Sequence, residues 1–268
     1  IGKLKTPVRK LKKWPYAKGK KVKLFVLAGH RNMEGERAFV QDLKEIKGRE
    51  DLLKDNHSIA YKYSLGGGYK KSDGWEPFGI VDYYDTFGPE LSLAQTLQAK
   101  LSGNLAIAKF THSGSQIIDW TPEGSMAKDR HLYPDFLSFV KKSIEELEAK
   151  GNEVELTGIF YHVGENDMSF HPYRKEAAGR IKSIVEQSRK DLGLPKLRWF
   201  LSQQPPTDVE RLNGLDVMGD VAKLADADPH VIHVKALDLP PQEKRLVIRA
   251  DGILALGELI AQVYLKQR

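Results

Sequence analysis

The side chains that could carry acid–base chemistry lie in short polar segments, and these segments directly follow predicted strands. Three of these side chains are carboxylates: Glu165, Asp167 and Asp251. Three are histidines: His30, His112 and His162. A pair of carboxylates can act as general acid and base on a glycosidic bond, and His is the commonest base near neutral pH. These residue types favour a hydrolytic or ligand-binding site at the ends of strands.

Thiol, metal and nucleotide chemistry have no matching pattern. The chain contains no Cys, which excludes disulfides, thiolate metal sites and Cys nucleophiles. His230 and His233 would point to opposite faces of one predicted strand, so we do not expect them to share a metal. The run 66–72 contains three Gly but lacks the spacing of a phosphate-binding loop. We therefore expect neither a metal nor a cofactor.

Apolar runs alternate with segments of helical periodicity along most of the chain. The predicted strands are 22–29, 59–64, 105–110, 154–163, 197–201 and 231–237, and the predicted helices are 89–101, 133–150, 173–192, 209–224 and 256–265. This alternation predicts an α/β fold with a parallel sheet covered on both faces. In such sheets ligands bind beyond the carboxyl ends of the strands.

A long loop is predicted over residues 66–87, which are rich in Gly, Asp and aromatic residues. Its aromatic side chains include Trp75, Phe78, Tyr83, Tyr84 and Phe87. They suit stacking on sugar rings, and they equally suit packing of the loop itself.

Five segments that follow strands or precede helices resemble the sequence blocks of a known hydrolase superfamily. In chain order they are 29–35 (GHRNMEG), 88–92 (GPELS), 113–120 (SGSQIIDW), 164–167 (GEND) and 251–254 (DGIL). Together they resemble the SGNH hydrolases, and most closely the sialate O-acetylesterase and acetylxylan esterase branch of the carbohydrate esterases. The resemblance implies a three-layer α/β/α, flavodoxin-like fold with a central parallel sheet. It also implies a carbohydrate ligand.

The resemblance implies an altered catalytic triad. In the family a Ser attacks the acyl carbon, a His is its base and an Asp orients the His. Carried over by position, the nucleophile is Arg31, the base is Leu254, and Asp251 alone remains. Arg stays protonated and Leu cannot accept a proton, so the usual acyl transfer lacks both groups. The oxyanion donors Gly88 and Asn166 are present, and the remaining pocket positions are His30, Asn32, Gly114, His112 and His162.

Several interpretations of this altered site are open. In one, Arg31 binds a carboxylate or sulfate, and the protein binds an acidic or sulfated saccharide without ester hydrolysis. In another, Arg31 only pairs with Asp251 or Glu165. A third keeps an active glycan hydrolase, an esterase or glycosidase that uses non-standard residues such as Glu165, Asp167 and Asp251. In a fourth, a different Ser has become the nucleophile; the candidates are Ser92, Ser113 and Ser115. We favour the first as a function.

Basic charge is concentrated at the beginning of the chain. Residues 1–23 carry ten Lys and Arg and no acidic side chain, whereas residues 24–268 carry 32 basic and 36 acidic side chains. We expect 1–23 to be an arm that lies over a single domain, 24–268, through Val8, Leu11, Trp14 and Tyr16. An arm that binds a polyanion or a protein partner is the alternative; nucleic acid is not expected.

The cellular location of the protein is predicted only in outline. No apolar run approaches the length that a membrane span needs. The resemblance implies a secreted or periplasmic bacterial protein, and the absence of Cys suits this location and the cytoplasm equally. The oligomeric state is not predicted.

Overall fold

A twisted, mostly parallel sheet forms the centre of the computed structural model, which describes residues 8–203, 217–236, 239–240 and 246–267. Its eight strands within those ranges are β1 (Lys21–Gly29), β2 (Asn56–Leu65), β3 (Lys70–Lys71), β4 (Glu76–Phe78), β5 (Asn104–Thr111), β6 (Glu153–His162), β7 (Trp199–Gln203) and β8 (Val231–Lys235). The order is β3-β2-β5-β1-β6-β7-β8, and β4 also pairs with β2. Only β3 and β4 are antiparallel to β2 in this sheet of described strands.

Helices cover both faces of the sheet. They are α1 (Arg31–Glu34), α2 (Val40–Glu45), α3 (Glu90–Lys100), α4 (Tyr133–Ala149), α5 (Glu165–Met168), α6 (His171–Leu192), α7 (Val217–Ala227) and α8 (Ala250–Lys266). Short 3-10 helices span Glu50–Leu53, Gly66–Gly68 and Ile117–Trp120. The predicted α/β fold with a central parallel sheet is confirmed.

The side chains of the central strand β1 pack against the helices on both faces of the sheet. These side chains are almost all apolar and buried, as expected for a parallel strand with helices on both sides. Phe25 and Leu27 belong to a core with α3 and α8, whereas Leu24 and Val26 belong to a second core with α4 and α6. Successive side chains of a strand point to opposite faces, so one apolar run supplies both cores.

Two predicted segments differ clearly from the structure, and two others are only partly described. The closing helix α8 begins at Ala250 rather than 256, so the segment Asp251–Leu254 is helical. The predicted loop 66–87 contains β3 and β4, because both short strands hydrogen-bond to β2. The first part of the predicted helix 209–224 and the end of the predicted strand 231–237 lie outside the described residues.

The described part of the basic arm packs on the domain at the amino ends of the strands. The Tyr16 side chain is buried, its hydroxyl donates to Leu105 O, and it accepts a hydrogen bond from Ala60 N at 2.9 Å. The Trp14 indole N–H donates to Asn152 Oδ1 at 2.9 Å. Val8, in contrast, is exposed. Nowhere in the described ranges is a helix both long and apolar enough to span a membrane.

Candidate functional site

The loop after β1 is built on Gly29 and on a buried histidine. Gly29 has a φ of +148°, and a Cβ there would lie 2.6 Å from His162 O, so only Gly fits. The His30 ring is fully buried. Its Nδ1–H donates to Ser115 O at 2.9 Å, and its Nε2 accepts from Tyr161 OH at 2.6 Å. Burial lowers the pKa of His30 to about 4, so the ring is neutral and serves to position the loop.

The Glu165 carboxylate binds the first backbone N–H groups of α1. It accepts hydrogen bonds from the backbone N–H groups of Arg31 and Asn32, both at 3.1 Å. His162 Nε2 lies 3.2 Å from Glu165 Oε1, and Ser202 Oγ donates to His162 Nδ1 at 2.8 Å. Burial alone would raise the pKa of Glu165, but the contact with His162 outweighs burial and lowers the pKa.

The Arg31 guanidinium is hydrogen-bonded to other side chains of the protein. Its Nη1 donates to both carboxylate oxygens of Glu36, at 2.7 and 2.8 Å, and its Nε donates to Asn166 Oδ1 at 2.9 Å. Asp251 or Glu165 was expected from the sequence to be the ionic partner of Arg31, and the observed partner is Glu36. Gly35, with a φ of +90°, turns the chain back and places Glu36 beside Arg31. Glu165 contacts only the backbone N–H of Arg31.

The predicted oxyanion donors are engaged by protein acceptors. Asn166 Nδ2 donates to Ser115 O at 3.0 Å and to Ser113 O at 3.4 Å. Gly88 N donates to Glu90 Oε1 at 3.2 Å. The N–H of residue 31 is likewise taken up by Glu165. A substrate oxyanion would therefore have to displace existing hydrogen bonds at each of these three donors.

In the part of the chain that the structure describes, no hydrogen bond or ion pair joins Asp251 or Leu254 to Arg31. Asp251 is exposed in the first turn of α8, where its Oδ1 accepts from Gly252 N. Leu254 is buried in the core shared with α3, and its carbonyl oxygen accepts from Ser92 Oγ at 2.7 Å. The earlier start of α8 explains the difference, because a motif expected in a loop lies within a packed helix.

A different segment lies beside the loop after β1. Asn32 Nδ2 donates to Leu246 O at 2.8 Å, and Ile248 N donates to Asn32 Oδ1 at 2.9 Å. The short stretch that precedes α8, rather than α8 itself, is thus the C-terminal neighbour of this loop. Its residues 246 to 248 are all apolar.

The three candidate carboxylates do not form a pair that faces a ligand. Glu165 and Asp167 are both buried, and Asp251 is exposed on α8. Asp167 Oδ2 accepts from Ile117 N at 2.9 Å. Burial raises the pKa of Asp167 to about 7.

Two of the serine candidates are buried and fully engaged. Ser115 Oγ donates to His112 O at 2.7 Å and accepts from Trp120 Nε1 at 2.9 Å, while Ser92 Oγ donates to Leu254 O. Ser113 is partly exposed. In the described part of the chain, no cluster of three or more His, Asp or Glu side chains is placed to hold a metal ion.

His112 lies at the centre of the accessible part of this region. Its ring packs against Gly67 on one side, where a Cβ would lie 2.3 Å from Cδ2. On the other side is Gly114, where a Cβ would lie 3.7 Å from His112 Nδ1 and 3.9 Å from Arg130 Nη2. His112 Nδ1 is buried and has no hydrogen-bond partner within the described ranges. Burial lowers the pKa of His112.

Three residues that were not predicted from the sequence complete the site: Glu34, Glu36 and Arg130. Glu34 is buried, and its carboxylate accepts from Gly66 N and Thr111 Oγ1, both at 2.9 Å. Arg130 is partly exposed, and its guanidinium makes no hydrogen bond or ion pair with any described residue. Glu34 and Glu36 flank Gly35 in the first block and could have been found there. Arg130 lies in a polar loop without any pattern.

Comparison with known proteins identifies both a family and a fold. The family model described as carbohydrate esterase, sialic acid-specific acetylesterase, matches residues 21–266. No curated protein sequence matches the chain. The arm before residue 21 lies outside the matched range.

Solved structures share the fold at low sequence identity. A protein from Arabidopsis thaliana is 20% identical with a TM-score of 0.66, over 91% of this chain and 98% of that chain. NanS is 15% identical with a TM-score of 0.62, over 94% and 100% of the two chains. A carbohydrate acetylesterase from Xanthomonas citri is 15% identical with a TM-score of 0.61, over 90% of this chain and 55% of that chain. The SGNH hydrolase fold expected from the sequence blocks is confirmed.

Proposed function

The chain belongs to the carbohydrate esterase family of sialic acid-specific acetylesterases, and from this premise we propose that it binds an acidic or sulfated saccharide without Ser-dependent ester hydrolysis. The observation that carries the absence of hydrolysis is the environment of Arg31. This residue stands where the family's first block has its nucleophilic Ser, and its guanidinium is bound to Glu36 and Asn166. The protein would then be a pseudoenzyme of its family.

The chemistry of this position supports the absence of hydrolysis. A guanidinium stays protonated at any pH at which the protein is folded, so it cannot attack an acyl carbon. Asn166 accepts from Arg31 Nε and donates to two backbone carbonyls, which leaves it no free N–H toward an oxyanion. An acyl-transfer site needs a nucleophile, a base and an oxyanion hole together, and each of the three is compromised here.

An anionic ligand is supported by Arg130 rather than by Arg31. The charge of Arg31 is balanced by Glu36, whereas the Arg130 guanidinium has no acidic partner within the described ranges. Arg130 lies next to Gly114 and His112, whose Nδ1 also lacks a partner. A carboxylate or sulfate between these groups would receive charge-assisted hydrogen bonds. The family description names sialic acid, which is a sugar acid.

Two assays on the unmodified protein test the proposal. We expect no acetate release above the buffer rate from p-nitrophenyl acetate or from O-acetylated sialic acid. In calorimetric titrations we expect binding of 3′-sialyllactose and weaker binding of lactose, which lacks the carboxylate. Acetate release would overturn the proposed absence of hydrolysis, and equal affinity for the two sugars would overturn the proposed anion selectivity.

A charge variant tests the residue that is proposed to hold the anion. Arg130→Ala should weaken 3′-sialyllactose binding about tenfold, the value of one charge-assisted hydrogen bond, and should leave lactose binding unchanged. Lys128→Ala is the matched control, because it removes the same charge from an exposed position in the same loop. An equal loss of affinity in both variants would indicate general electrostatic attraction and would contradict a specific role for Arg130.

A further inference from the structure

Two large aromatic side chains are exposed next to the site. Tyr69 and Tyr84 are 78% and 69% exposed, and their rings are nearly parallel, with 6.3 Å between centroids and 17° between planes. We call this pair the tyrosine platform. Exposed aromatic rings offer apolar faces with polar hydroxyl edges, and binding sites use such side chains.

The backbone that presents Tyr84 is strained. Tyr84 and its neighbour Asp85 both adopt left-handed conformations, with φ of +53° and +51°. Such values cost free energy for residues that carry a Cβ, and Gly would adopt them freely. The turn is anchored by Val40 N, which donates to Asp85 O at 2.8 Å, and by Thr86 N and Oγ1, which donate to Tyr83 O. Strain of this kind persists where the surrounding structure enforces it and is enriched at functional sites.

A short series of contacts connects the tyrosine platform to His112. The Tyr83 ring packs edge-on against Tyr84 with 4.8 Å between centroids, and its hydroxyl donates to Glu34 Oε1 at 3.2 Å. Glu34 also binds Gly66 N, and the next residue, Gly67, is in contact with the His112 ring. The platform therefore adjoins the region in which Arg130 and His112 lie.

We propose that the tyrosine platform is a sugar-ring subsite of the same binding region. The apolar C–H face of a pyranose would lie on the rings of Tyr69 and Tyr84, while a charged group of the saccharide reaches Arg130. The inference rests on the proposed function, because saccharide binding is its premise. The tyrosine platform would bind the uncharged part of the saccharide, and Tyr69 and Tyr84 would select it.

Ring-removing and ring-preserving variants test the platform with 3′-sialyllactose and lactose as probes. Tyr69→Ala and Tyr84→Ala should each weaken the binding of both sugars about three- to tenfold, the range of an aromatic contact. Tyr69→Phe and Tyr84→Phe keep the rings and should bind within about twofold of the unmodified protein. Leu194→Ala, which removes an exposed apolar side chain beyond the C-terminal end of α6, should have no effect.

A glycine variant separates loss of binding from loss of folding. Tyr84→Gly removes the ring and also relieves the left-handed strain, so its Tm should be at or above that of Tyr84→Ala, while its affinity should be equally low. Binding that is unchanged in the Ala variants would overturn the platform and leave the proposed function standing. Failure of the unmodified protein to bind either sugar would overturn both.

Discussion

Arg31 Nη1 donates to both carboxylate oxygens of Glu36 across one left-handed turn, at the position that the sequence blocks match to the family's nucleophile. Replacing Arg31 with Ser would remove the cation and leave Glu36 without its partner, next to an Asn166 side chain that had lost its donor. The described segment beside this loop, residues 246–248, is apolar and supplies no His base to a hydroxyl at position 31. A single substitution therefore does not recreate the family's chemistry.

The double variant Arg31→Ser with Leu254→His should remain inactive toward p-nitrophenyl acetate. Leu254 is packed in the core with α3, so a His there would bury a polar ring and destabilise the protein by about 2–5 kcal/mol instead of providing a base. Urea unfolding measures this cost. Gln262→His, at an exposed position of the same helix, is the control and should be nearly neutral. Ester turnover by the double variant would show that Leu254 does reach the position of the base.

At the scale of elements, the four-residue helix α5 joins two loops through its carboxylates. Glu165 binds the first N–H groups of α1, and Asp167 binds the N–H of Ile117 at the start of a 3-10 helix. Both carboxylates are buried, so their charge states matter for stability rather than for contact with a ligand. In this protein the two carboxylates of the block 164–167 therefore have structural roles.

Asp167→Asn should stabilise the protein, and more so as pH rises. Burial raises the pKa of Asp167 from 3.8 to about 7 in the folded protein. The contribution of the neutral carboxyl group to the stability of the fold is therefore complete at pH values below the unfolded pKa of 3.8, and it is lost as the pH rises through about 7. The amide is neutral throughout and can still accept from Ile117 N. We expect little difference near pH 4 and a gain on the order of 1–4 kcal/mol near pH 8.

Chemical denaturation of the two proteins at both pH values measures this difference. Asp251→Asn, which changes an exposed carboxylate on α8, serves as the control and should show no comparable gain at pH 8. A stability difference for Asp167→Asn that is equal at the two pH values would contradict the assignment.

At the scale of the whole molecule, the sequence was a better guide to the layers than to the site. The apolar run of β1 and the periodicity of α4 and α6 are local signals, and they predicted the parallel sheet and its covering helices. The partner of Arg31 depended on a tertiary detail, the turn at Gly35. Gly252 lies within α8 although Gly disfavours helices, and Leu254 in the same turn packs in the core that α8 shares with α3.

The described part of the basic arm, from residue 8 onward, and the candidate site lie at opposite ends of the sheet, and this arrangement predicts that this part of the arm stabilises the fold without contributing to binding. The Tyr16 hydroxyl joins Leu105 O of β5 to Ala60 N of β2. Tyr16→Phe would leave both buried groups without that partner and should cost about 1–3 kcal/mol in urea unfolding. Lys13→Ala, an exposed change in the same arm, should cost almost nothing. Because the site lies beyond the carboxyl ends of β1, β5 and β6, both variants should bind 3′-sialyllactose with unchanged affinity. A loss of binding in Lys13→Ala, with stability retained, would instead make the arm part of the ligand-binding surface.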